Sequence, residues 1–105
     1  MTKVEIHPGA CGFLVTVIAS KMGPRGADIA IQTECEQVNE MASMITHLTV
    51  QDMLGFPFGE DIVYQAAKKV IRHASCPVPC GIIKAAEAEL GLAVKQNAFI
   101  HFIEG

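Results

Sequence analysis

Lys3 to His7 alternates, with Val4 and Ile6 on one face and Lys3, Glu5 and His7 on the other, the period of a half-buried strand. Pro8-Gly9 ends that run, and Ala10-Cys11-Gly12 completes a tight connection. Phe13 to Ser20 predicts a second strand, rich in Val and Ile and apolar on both faces. Lys21 to Gly26 reads as a hairpin loop, and Ala27 to Thr33 alternates again with Ile29 and Ile31 inward. Three strands on short connections make an antiparallel meander.

The period then changes. Val38, Met41, Ala42, Ile45 and Leu48 form one stripe of an amphipathic helix, with Thr33 as its cap and Glu34 and Glu36 in its first turn. Val50 to Leu54 is a short turn, and Gly55-Phe56-Pro57-Phe58-Gly59 is a break. Glu60-Asp61 opens a second helix, whose rows Ile62/Ala66/Val70 and Val63/Ala67/Ile71 give a wide apolar stripe. Lys68, Lys69, Arg72 and His73 suit its C-terminus. After Cys76-Pro77-Val78-Pro79-Cys80, a third helix runs through Ile82, Ile83, Ala86 and Leu90 to Gly91 as C-cap. Ala98 to Ile103 reads as a last strand. The order β-β-β-α-α-α-β predicts an α+β two-layer fold: an antiparallel three-strand meander plus a C-terminal strand, with helices on one face.

Composition narrows what such a domain can do. The chain has 105 residues, a single domain over 1–105, with half its residues apolar, 18% charged and a net charge of −3. Mean hydropathy of +0.34 is too high for a disordered chain. The acidic balance excludes a nucleic-acid grip through a basic surface, and no apolar run approaches the roughly 20 residues of a membrane helix. Met1-Thr2-Lys3-Val4-Glu5 lacks the apolar stretch of a signal peptide, so the expected location is the cytoplasm. A domain this small cannot hide so many apolar residues in one core, which predicts a metal staple, a subunit interface, or both.

The four cysteines carry the candidate chemistry. Their spacing, C-x23-C-x40-C-x3-C, lacks the paired knuckles of a zinc ribbon but suits a centre assembled from distant elements. Following the strand and helix directions, Cys11, Cys35, Cys76 and Cys80 are all expected at one pole. Helix N-termini at Cys35 and Cys80 would favour thiolates. Gly12 and Gly81, each directly after a cysteine, would let backbone N–H groups approach a sulfur or a cofactor. Pro77 and Pro79 stiffen the loop between Cys76 and Cys80, and proline beside a ligand cysteine also occurs in ferredoxin-type motifs.

Three readings stay open. One is a metal centre ligated by all four cysteines, iron–sulfur ahead of zinc. It would make the protein an electron carrier or redox sensor, or give it a structural staple. The second is thiol redox chemistry at the Cys76/Cys80 pair, for which C-x3-C matches less well than C-x2-C. The third is a structural dimerisation module whose cysteines are buried small hydrophobes. His7, His73 and His101 are expected toward the same pole, and an enzyme would draw its acid or base first from His7 or His101; His47 belongs at the far pole. Met41, Met44 and Met53 read as core rather than as soft-metal ligands, and Glu36, Glu40, Glu87 and Glu89 as solvated faces. Gly23-Pro24-Arg25-Gly26 lies between strands, without the helix N-terminus of a phosphate loop. No Ser–His–Asp order or carboxylate pair stands out.

Pro8-Gly9-Ala10-Cys11-Gly12-Phe13, Cys35 and Cys76-Pro77-Val78-Pro79-Cys80-Gly81-Ile82 resemble a small prokaryotic family of uncharacterised four-cysteine proteins, with C-P-x-P-C-G the most specific element. The resemblance runs end to end and implies no activity. From a different class comes the expectation of a homodimer. Strand 2 presents Phe13, Val15 and Val17 on one face and Leu14 and Ile18 on the other. Strand 4 does likewise with Ile100 and Phe102 opposite Phe99 and Ile103. The sheet face away from the helices is therefore predicted to meet a second subunit.

Overall fold

The structure is a computed structural model that describes residues 1–104. Strands β1 (Thr2–Ile6), β2 (Val15–Lys21) and β3 (Gly26–Thr33) form the expected antiparallel meander within an α+β fold. Register puts Ile6 opposite Val15 and Val15 opposite Thr33, so the end of β1, the start of β2 and the end of β3 share one pole. Helix α1 (Glu36–Ala42) follows, then a short strand β4 (His47–Thr49) against the start of β3, helix α2 (Val50–Leu54), α3 (Ile62–Val70) and α4 (Val78–Glu89). The sheet order is β1-β2-β3-β4.

Two elements differ from the sequence reading. Of the stripe Val38/Met41/Ala42/Ile45/Leu48, all but the half-buried Ala42 are buried, but the helix stops at Ala42 and Leu48 lies in β4. Ser43 breaks the run, donating its hydroxyl to the Glu40 carbonyl at 2.7 Å. The β-branched Ile45, Thr46 and Thr49 then favour extended chain. The fourth strand of the sheet is therefore β4. Residues 98–103, expected as a strand, carry no strand pairing and lie beyond α4 with their side chains in solvent.

The helices cover one sheet face. Val15, Val17, Ala19, Ala27 and Ile29 of the sheet meet Val38 and Met41 of α1, Val63 and Ala66 of α3, and Val78, Ile82, Ala85 and Ala86 of α4. Burying each such valine or isoleucine contributes about 1.5–3 kcal/mol. Helix α4 is the central piece. Pro79 falls in its first turn, where a missing N–H costs nothing. At Gly81 an added Cβ would lie 2.3 Å from Ile6 Cδ1, so the helix approaches β1 closer than any side chain would allow. Its far end is pinned by Glu89, which accepts from the Thr2 hydroxyl at 2.7 Å and the Lys21 amide at 2.8 Å. These bonds hold the Glu89 carboxyl below the usual range, the Thr2 hydroxyl contributing most.

The opposite sheet face is mostly polar. Its rows are Glu5-Thr16-Gln32, Lys3-Ile18-Ala30 and Ser20-Asp28-His47, so Ile18 is its one large apolar residue. The surplus of apolar residues lies elsewhere. It is in the segment after α4 and in the loop with Phe56 and Phe58.

Candidate functional site

All four cysteine-bearing segments enter at one end of the sheet, where Ile6, Val15, Thr33 and Gly81 meet. Cys11 is exposed on the β1–β2 connection, which turns at Gly9 (φ +92°) and Gly12 (φ +74°). Cys35 is half-buried and directly precedes α1. Cys76 is half-buried just before α4, and Cys80 is exposed in the first turn of that helix. All four are free thiols.

Two side chains fasten these segments together. The Thr33 hydroxyl donates to the Leu14 carbonyl at 2.9 Å and accepts from the Cys35 amide at 3.2 Å, tying the Cys11 connection to Cys35. Thr33 was expected to cap α1; Cys35 holds the cap position instead. Gln37, in the first turn of α1, accepts from the Arg72 amide at 3.1 Å and so anchors the linker that carries Cys76. The Thr33–Leu14 and Gln37–Arg72 contacts have no sequence signature, because they join residues 19 and 35 apart in the chain.

The Cys76 thiol is pushed up, first by burial and then by the like charges of Cys35 and Cys11; the Val78 amide, hydrogen-bonded to it, opposes this without reversing it. Cys80 acts instead on Tyr64, whose hydroxyl is raised by burial first and then by the charges of Cys80 and Asp61. Cys35 and Cys11 thus lie within Coulombic reach of Cys76, and Cys80 within Coulombic reach of Tyr64 on α3. Coulombic reach is longer than a ligand bond. Among the described residues, no three His, Cys, Asp or Glu side chains are already gathered closely enough to hold a metal ion.

The glycines behave differently from the sequence expectation. The Gly12 amide donates to the Gly9 carbonyl at 3.0 Å and the Gly81 amide to the Pro77 carbonyl at 3.1 Å, so both N–H groups are already engaged within their own turns. Gly81 serves packing against Ile6, and Gly12 the positive φ of its turn.

The histidines separate as well. His73 lines a depression of about 270 Å³ together with Cys76, Tyr64, Lys68 and Pro79. His7 is exposed and bonded to Glu5 at 2.9 Å. His47 pairs with Asp28 at 2.8 Å, at the far end of the sheet as expected. His101 does not reach the thiol pole by a returning strand. Its segment leaves from the Thr2 end of the sheet, and its ring stacks on Phe99 at 5.4 Å.

Sequence comparison adds a family. The model of a family of unknown function, DUF6951, matches residues 2–102. The chain belongs to DUF6951. No curated protein matches this DUF6951 chain, and no solved structure does. No helix among its described residues is long and apolar enough to cross a membrane.

Proposed function

We propose that this DUF6951 protein binds a thiophilic metal centre, an iron–sulfur cluster or zinc, at the thiol pole. Cys11, Cys35 and Cys76 supply the first three thiolates and Cys80 the fourth. The observation that carries this reading is that four cysteine-bearing segments from separate elements enter at one end of the sheet. The Cys76 thiol, pushed up, keeps its proton near neutrality, and a bound metal cation would displace that proton and hold the sulfur as a thiolate ligand. Cys35 is held through Thr33, and Gln37 anchors Arg72 four residues before Cys76; metal binding would draw the exposed Cys11 turn toward them. An iron–sulfur centre here supports electron carriage or redox sensing; zinc acts as a staple for a small domain. The reading takes the four cysteines and C-P-x-P-C-G as features of the family. It places the protein in the cytoplasm, where thiols stay reduced, with no nucleic-acid partner. The Cys76/Cys80 dithiol is the second reading, which C-x3-C matches less well than C-x2-C would.

Anaerobic purification followed by an absorption spectrum and metal analysis tests this. Stoichiometric iron with a brown colour, or one zinc in a colourless protein, supports the reading, and Cys35→Ser should lose the metal. Protein that stays metal-free after anaerobic reconstitution with iron and sulfide, and after zinc addition, contradicts it.

A further inference from the structure

The most exposed apolar surface of the molecule is its C-terminal segment. Phe99, Ile100, Phe102 and Ile103 are 72%, 94%, 106% and 89% exposed. Phe99, His101 and Ile103 alternate with Ile100 and Phe102, the pattern of a strand with two apolar faces. The segment has no strand partner; its ring contact is the Phe99–His101 stack within itself.

At the same time the sheet has an unpaired edge. β1 pairs with β2 on one side, and residues 2–6 make no backbone hydrogen bond outside that ladder among the described residues. Val4 on β1 and Ile83 on α4 are left half-buried beside the core. An open edge with apolar neighbours accepts an added strand, and an unpaired β-prone segment seeks one. The two features match in length: residues 98–103 in extended form span about 20 Å, enough for the five residues of β1.

We propose that the occupant of the β1 edge is the C-terminal segment of a second copy of this chain, exchanged reciprocally in a two-fold dimer. Glu89 pins the end of α4 beside Thr2 and Lys21, and Gly91 (φ +75°) then turns the chain off the body. The segment carries no strand pairing to its own sheet and its side chains are exposed, and the molecule is elongated, 45 Å by 27 Å by 26 Å. In the exchanged dimer, Ile100 and Phe102 lie beside Val4 and Ile83, and Phe99 and Ile103 extend the open face. Reciprocal exchange closes after two copies, because each chain gives one strand and receives one.

The test is light scattering on the full chain under reducing conditions, with hydrogen exchange of residues 2–6 and 98–103. A dimer with slow exchange in both segments is expected. Ile100→Pro, which disrupts strand pairing in a segment outside the core, should give a folded monomer with fast exchange in 98–103 and at the amides of 2–6 that face away from β2. A monomeric wild type, a dimer unaffected by Ile100→Pro, an open-ended polymer series, or a monomer with slow exchange in 98–103 overturns the proposal. The last outcome would mean that the segment pairs with its own β1.

Discussion

Single side chains decide how the ends of this sheet are tied. At the thiol pole the Thr33 hydroxyl holds Leu14 and Cys35 at once; at the other, Glu89 gathers Thr2, Lys21 and the Met1 amino group. Glu89 reads from sequence as a solvated residue on a helix, since nothing local announces partners 68 and 87 residues away. A carboxyl held below its usual range stabilises the fold above the ordinary carboxylate value, and that contribution is lost as pH falls through the lowered native one. Glu89→Gln should therefore unfold at lower urea than the wild type near neutrality, with the gap closing in acid. Urea midpoints across a pH series measure this, and a gap constant with pH would contradict it.

The elements themselves were legible where periodicity and breakers agreed. The meander, α3 opening after the break at Gly55 to Gly59, and α4 up to Gly91 follow from alternation, a breaker and a C-terminal glycine. The Asp61 carboxylate does cap α3, accepting from the Val63 and Tyr64 amides at 3.0 and 3.2 Å. Burial was more legible than conformation. Ile45 and Leu48 are core residues whether helical or not, and the switch to β4 depends on pairing with Ala27, which local pattern does not contain. Helix α4 contributes most to the core through Ile82, fully buried between the sheet and its neighbours. Ile82→Ala should cost about 2–5 kcal/mol in urea unfolding. A loss below about 1 kcal/mol would show that α4 is not seated as described.

For the whole molecule, strand and helix directions were enough to bring four cysteine-bearing segments to one pole, because a meander and antiparallel helices leave few ways to connect them. The direction of the last segment was not legible, since its partner is not set by its own pattern. How the segments carrying Cys11 and Cys76 are tied to the body depends on tertiary contacts, Thr33 with Leu14 and Gln37 with Arg72, that local pattern does not contain. Thiols must lose their protons to bind, and a metal would bring the resulting thiolates within ligand range of one another. Anaerobic cobalt(II) titration, followed by the thiolate-to-cobalt charge-transfer band and the intense visible bands of tetrahedral cobalt, reads this directly. One equivalent should bind with both signals, and Cys11→Ser, Cys35→Ser and Cys76→Ser should each weaken binding at least about tenfold. Binding unchanged by all three substitutions, or no thiolate band at saturating cobalt, would contradict a metal centre at the thiol pole.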